Sequence, residues 1–165
     1  MRKPMYLVMV IAVLITTATA SSDPFIGKWV LDPQQSKYPA GECPKRMSIE
    51  IEATGQGIRY RSDTVYANGG TSHSQYTAEY NGKPVLVLGT HGMLLPVSLK
   101  RLDLHTVVAS YFKSFEVVAT SRRVVSHDGR RMTITTTSKD RFGKSVTTVG
   151  VYERQTEPRL VDAHK

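Results

Sequence analysis

Along most of the chain, apolar and polar positions alternate with a period of two. In Met47-Ser-Ile-Glu-Ile-Glu-Ala53, Met47, Ile49, Ile51 and Ala53 fall on one face and Ser48, Glu50 and Glu52 on the other. This is the pattern of a half-buried strand. Strand-like runs rich in Val, Ile, Thr and Tyr follow at 58–66, 71–80, 85–88, 97–102, 106–112, 115–125, 132–138 and 146–154. Asn68-Gly69, Asn81-Gly82 and Asp128-Gly129 stand between runs and supply the positive φ of tight hairpins. Stretches 55–57, 103–105 and 141–143 read as slightly longer turns. Helix-start chemistry occurs at Asp32-Pro-Gln-Gln-Ser36, with Asp at an N-cap and Pro at the first helical position, and this is enough for one turn. A meander of about ten strands has two open edges, and closure into a barrel removes both. The expected fold class is all-β, an antiparallel meander of about ten strands closed into a barrel.

The N-terminus breaks the alternation. Arg2 and Lys3 precede the apolar run Met5–Ile15, and Ala18-Thr-Ala20 is a small-x-small site. This reads as a secretory signal peptide cleaved after Ala20, too short to span a hydrocarbon core that takes about 20 residues. The expected organisation is a signal peptide over 1–20, a barrel domain over 21–156 and a flexible tail over 157–165. No transmembrane segment is expected after cleavage. The remaining 145 residues, Ser21 to Lys165, can build a core without staples. The lone Cys43 has no intramolecular disulfide partner. It reads as a bystander thiol, and export without a disulfide framework points to a bacterial periplasmic or secreted protein. The net charge of +8 falls to +6 without Arg2 and Lys3, which favours anionic partners. The charges are spread rather than gathered in a stripe with interleaved aromatics, so no nucleic-acid partner is expected.

Phe25-Ile-Gly-Lys-Trp29 carries the chain's single tryptophan and resembles the Gly-x-Trp signature of the calycins, the lipocalin and fatty-acid-binding-protein superfamily. The ending Gly143-Lys-Ser-Val-Thr-Thr-Val-Gly-Val-Tyr-Glu-Arg154 resembles the closing strand of fatty-acid-binding proteins. Pro33-Gln-Gln-Ser-Lys-Tyr38 and Arg122-Arg-Val-Val-Ser-His-Asp-Gly129 are similar to runs in exported, uncharacterised bacterial lipocalin-like proteins. The resemblance implies a calycin-like barrel around a small ligand. It departs in two places. Too few residues separate Leu31 from the next strand for the helical pair that intracellular fatty-acid-binding proteins insert there. Gly150 stands where those proteins carry a carboxylate-binding arginine.

Period-two phasing suggests what points inward. Phe115, Val117, Ala119, Ser121, Arg123 and Val125 share one face, as do Ile58, Tyr60, Ser62, Thr64 and Tyr66, and so do Ser72, Ser74, Tyr76, Ala78 and Tyr80. On the last strand Tyr152 and Arg154 go together, although the opposite face carries Val149 and Val151. The candidate ligand-binding residues are Tyr60, Ser62, Tyr76, Tyr111, Arg123 and Tyr152. A buried arginine needs an anion or several acceptors, so Arg123 reads either as a ligand anchor or as a structural cation. Core packing is the alternative reading for the tyrosines. Gly27, Trp29 and Arg154 are expected to close the barrel, Gly27 by allowing close approach and an arginine by stacking on Trp29. The stretch Gly89-Thr-His-Gly-Met-Leu-Leu-Pro96 reads as an apolar loop at the mouth.

His73, His91, His105, His127 and His164 lack metal-ligand spacing, and no nucleophile elbow, phosphate loop or dinucleotide fingerprint occurs. No catalytic residue, metal or cofactor is expected. The function expected is non-catalytic binding of a small apolar or amphipathic molecule, with an anionic head group as one form. The alternative is a cavity-less module that uses a basic surface on an anionic envelope component or protein partner.

Overall fold

The computed structural model describes residues 23–156, residue 91 excepted. The signal peptide expected at 1–20, the tail at 157–165, and His91 and His164 lie outside the described residues. Ten strands follow in order: β1 (Gly27–Leu31), β2 (Arg46–Thr54), β3 (Gly57–Val65), β4 (Thr71–Glu79), β5 (Val85–Gly89), β6 (Gly92–Asp103), β7 (Thr106–Lys113), β8 (Glu116–Val125), β9 (Arg131–Lys139) and β10 (Ser145–Arg154). Each pairs antiparallel with its neighbour, and β1 pairs with β10 to close the barrel. The all-β ten-strand meander is therefore as expected. All ten strands and the whole described core cluster, from Phe25 to Tyr152, lie between residues 25 and 154, so the chain from Ser21 carries the complete barrel.

Hairpin connections alternate between the two barrel ends. One end, where β1 begins and β10 finishes, is filled. Trp29 is fully buried and donates from Nε1 to the Phe25 carbonyl at 3.0 Å. The Arg154 guanidinium lies over the indole, with Cζ 4.2 Å from the ring centroid. Its nitrogens donate to the carbonyls of Gly129, Ile26 and Pro24 at 2.5, 2.5 and 2.6 Å. These carbonyls come from the segment before β1 and from the β8–β9 turn, so one side chain fastens the end of β10 to two other stretches of backbone. Beside it, Asp23 accepts from Arg101 at 2.5 Å and from the Tyr80 hydroxyl at 2.9 Å.

The other end is open. The connection from β1 to β2, residues 32–45, contains no helix. Asp32 accepts from the backbone N–H groups of Gln34 and Gln35 at 2.9 and 3.3 Å, and the single turn it caps goes no further. The chain then runs along the edge of β10 past the end of β1. Asp32 N–H donates to the Val151 carbonyl, Ser36 Oγ accepts from Val151 N–H, and Lys37 bridges to Val149. This strap explains the ambiguous phasing of the last strand, since Val149 and Val151 face outward under cover while Tyr152 points into the barrel.

Two expectations about faces need correction. Phe115 and Val117 are exposed, because Ser114 and Phe115 form the positive-φ turn between β7 and β8 and the register slips between Tyr111 and Phe112. Only Ala119 onward keeps the inward phase. The stretch 89–96 is not a free loop. Gly89 pairs with Gly92, and β6 runs from Gly92 through Pro96 into the sheet. Proline is tolerated there beside a register shift, where the ladder already lacks a bond.

Gly27 has φ +138, and a Cβ there would collide with Arg154 Nη1. Arg154 cannot move aside without losing its three carbonyl bonds. Gly27→Ala should therefore destabilise the barrel by roughly 2–3 kcal/mol, measured by urea unfolding followed through the fluorescence of the single tryptophan. An unchanged midpoint would mean that Arg154 relaxes freely and does not hold the floor.

Candidate functional site

Above the Trp29 floor the barrel holds a cavity of two lobes, about 350 and 440 Å³. Both lobes are bounded by Met47, Tyr60, Thr64, Tyr66, Tyr111 and Arg123. One extends under Tyr38 and Pro44 of the strap toward Tyr152, with Glu42 at the rim. The other extends past Ser62, Ser74 and Tyr76 to Leu94 and Leu95. The sheet supplies these side chains because β3, β4, β7, β8 and β10 each present their period-two inner face to one space.

Arg123 lies deep, two residues from the floor end of β8, and is 3% exposed. Its Nη1 donates to the Tyr76 hydroxyl at 2.8 Å and its Nη2 to the Tyr111 hydroxyl at 3.3 Å. Its Cζ stands 5.0 Å from the centroid of the Tyr60 ring, and Tyr60 stacks on Tyr76 at 4.8 Å with planes 13° apart. The buried Nε has no partner among the described residues, nor does any carboxylate there form an ion pair with this guanidinium.

The surrounding groups are neutral. Burial pushes the Tyr60 phenol up to about 12 against the pull of Arg123. Burial likewise raises Tyr76 and Tyr152 well above the ordinary phenol value, again with Arg123 pulling the other way. These three phenols therefore stay protonated at neutral pH. Arginine stays charged under the same conditions. Hydroxyl pairs complete the polar lining, Ser62 with Ser74 at 2.8 Å and Ser121 with Thr136 at 2.6 Å. The Tyr152 hydroxyl donates to Met47 Sδ at 3.2 Å. The interior is thus an apolar and hydroxylic chamber with one deep cation.

All six candidate ligand-binding residues border this cavity: Tyr60, Tyr111 and Arg123 at the junction, Ser62 and Tyr76 in one lobe, Tyr152 in the other. Gly27, Trp29 and Arg154 are gathered at the floor, apart from it. Arg154 is the arginine that covers Trp29, while Arg123 covers Tyr60. Sequence reasoning missed Tyr38, Thr136 and Thr148 as lining residues. Tyr38 had a readable signal, the Pro-x-x-Ser-x-Tyr run, but its direction depends on Ser36 docking on β10. At Gly150, a Cβ would meet Tyr152 Cε2 at 2.8 Å and the Tyr38 hydroxyl at 2.9 Å. Two tyrosines fill the space that a side chain at 150 would need. Among the described residues, no three His, Cys, Asp or Glu side chains converge as a metal site.

No protein-family model and no curated protein matches the chain in sequence. Solved structures match in shape. The zebrafish ileal bile acid-binding protein complexed with cholic acid aligns over 80% of this chain and 99% of its own, at 14% identity and a TM-score of 0.54. A Schistosoma mansoni fatty acid binding protein in complex with arachidonic acid aligns over 81% and 97%, at 14% identity and a TM-score of 0.57. A protein of M. tuberculosis aligns over 81% and 94%, at 11% identity and a TM-score of 0.52. The shared feature is the calycin-like barrel fold.

The raised phenols have a consequence for stability. In the unfolded chain each tyrosine loses its proton near 10, and in the folded barrel Tyr60 does so near 12. Between these values the folded state binds more protons, so stability falls as pH rises. Stability should hold level up to about pH 10 and then decline by roughly 1.4 kcal/mol per pH unit for each buried tyrosine. Urea unfolding between pH 8 and 11.5 checks this. Tyr60→Phe should make the decline shallower.

Proposed function

We propose that this chain is a non-catalytic carrier that takes one small amphipathic anion into the barrel, apolar tail toward the mouth and acidic head on Arg123. The observation that carries the reading is the buried guanidinium with an orphaned Nε and no carboxylate beside it. An uncompensated buried charge is costly, and an anionic head group offsets that cost with charge-assisted hydrogen bonds. Tyr76 and Tyr111 hold the guanidinium in place, and their hydroxyls border the same space. The lobes are of the size and mixed lining typical of small-molecule sites. The shape shared with proteins that were solved holding cholic and arachidonic acids supports the same class of ligand. A cavity-less module fits this interior poorly.

The N-terminal apolar segment fits a protein that works after export, with residues 1–20 removed. Fatty-acid-binding proteins of the resembled kind place an arginine on the last strand, at the position of Gly150. Here the cation comes from β8 instead, two strands round the barrel from β10, and tyrosines occupy the vacated volume.

The test is a pair of ligands with one tail and two heads, laurate and dodecanol, competing with a fluorescent hydrophobic probe on the protein from Ser21. Arg123→Met should weaken laurate binding by roughly 10- to 100-fold and change dodecanol binding by less than about threefold. Because it removes an unpaired buried charge, the same variant should stay within about 1 kcal/mol of the parent in stability. Equal losses for both ligands, or no binding of either by the parent, would reject the reading.

A further inference from the structure

The open rim carries apolar side chains that the barrel does not use. Among the large apolar side chains described, the three most exposed are Phe115 at 101%, Phe142 at 79% and Met93 at 70%. They sit on three different hairpins, β7–β8, β9–β10 and β5–β6, and the meander places all three connections at the open end. Leu94 and Leu95, also exposed, continue from Met93 down to the cavity wall. Away from the rim the exposed large apolars are Leu102 and Leu104 at the filled end, each about half exposed, and Leu86 and Leu88 on the outer wall of β5.

Cations share this rim. Lys45, Arg46, Lys113, Lys139, Arg141 and Lys144 are exposed there, on the same connections and strand ends as Glu42, Glu116 and Asp140. None of the six is in an ion pair among the described residues, whereas Lys28, Arg59 and Arg61 on the barrel wall pair with Glu50 and Glu52. Asp140 is engaged as well, accepting from the backbone N–H groups of Phe142 and Lys144. Arg141 lies 4.7 Å from the Phe142 ring centroid, a cation and an aromatic on one tip.

Phe115 carries a second signal. It occupies the left-handed region at φ 68, next to Ser114 at φ 50. Two-residue hairpins of this kind favour Asn-Gly, because a bulky side chain is strained there. A phenylalanine that packs against nothing and strains its own backbone has no role in the barrel's stability. Such strain concentrates at working surfaces.

From these observations we infer that the open rim docks on an anionic lipid bilayer, with Phe115, Phe142 and Met93 inserted at the headgroup boundary and the rim cations on the lipid phosphates. A bilayer fits better than a protein partner because the tips are separate and surrounded by charge. A deformable medium admits each one singly, whereas a protein interface needs a contiguous packed centre. Apolar anchors combined with basic groups are the usual chemistry of surface-bound segments. Docking would set the cavity mouth against the lipid. The inference does not depend on what the cavity holds.

The test is co-sedimentation of the protein from Ser21 with vesicles of phosphatidylcholine alone or with 30% phosphatidylglycerol. Binding should require the anionic lipid, fall at least tenfold between 0.1 and 0.5 M salt, and fall roughly tenfold for each of Phe115→Ser and Phe142→Ser. Phe115→Gly separates docking from folding, since it should bind vesicles as weakly as Phe115→Ser while unfolding at a higher temperature than the parent. Laurate binding should be the same in all three variants, so that a failure of docking and a failure of the ligand reading are told apart. Equal binding to neutral vesicles, or phenylalanine variants that bind like the parent, would overturn the inference. So would a concentration-dependent dimer that the phenylalanine variants abolish, since it would assign the tips to a second copy.

Discussion

The barrel depends on Arg154 lying over Trp29. A ten-strand sheet closes only if its last strand meets its first, and β1 is short, Gly27–Leu31. The pairing of β1 with β10 covers only Trp29 to Leu31 against Arg154 to Tyr152. Three register positions are a weak seam, and the guanidinium reinforces it by tying β10 to the Ile26 and Pro24 carbonyls ahead of β1 and to Gly129 across the floor. Charged hydrogen bonds to carbonyls are roughly twice as strong as neutral ones, and the cation–π contact adds to them. Gly27 follows from this arrangement, because only a residue without a Cβ leaves room for the guanidinium. The strap extends the same seam along the edge of β10, through Asp32, Ser36 and Lys37 on Val151 and Val149.

The half-buried Arg154 and the buried Arg123 thus have opposite situations within one barrel. The donor groups of Arg154 are matched by three backbone carbonyls, and burial draws its pKa down only from a very high ordinary value. Arg123 has two phenols, an aromatic face and one nitrogen with nothing. Structural cations in proteins are matched like the first. The second is poised, held in one orientation by Tyr76 and Tyr111 yet incompletely satisfied. This contrast, more than the presence of a cavity, separates the floor from the site.

Much of this was legible because it follows from local pattern. The strand count, the hairpins at Asn68-Gly69 and Asp128-Gly129, and the inward phase of Tyr60, Tyr76 and Arg123 come from period two and turn chemistry. Phe115 and Val117 defeated the same rule because a register slip at Tyr111 is set by pairing with another strand, which periodicity along one strand does not contain. The 89–96 stretch read as a loop because two glycines and a proline flank it, yet Gly89 and Gly92 pair across a turn too short to be free. Which arginine meets Trp29 was beyond any local pattern, since both share an inward phase and only the closing register separates them. Tyr38 was hidden for a related reason: its aim depends on contacts more than a hundred positions away, between Ser36 and Val151.

The two barrel ends show what closure leaves free to vary. Strand pairing closes the ring, thinnest between β4 and β5, which share only the Ser74–Gly89 and Gln75–Leu88 positions, so the wall leaves little edge that a second molecule can extend. The floor end is committed to Trp29, Arg154 and the Asp23–Arg101–Tyr80 group, and its cations and carboxylates largely answer one another. The hairpin tips at the mouth carry no such obligation. A stability-optimised chain would place Gly or Asn at position 115 and a polar residue at 142. Phenylalanine at both, with unanswered cations between them and a matching deep cation inside, sets the direction of the molecule: the chemistry that the fold does not need for itself is concentrated along the path from the rim to Arg123.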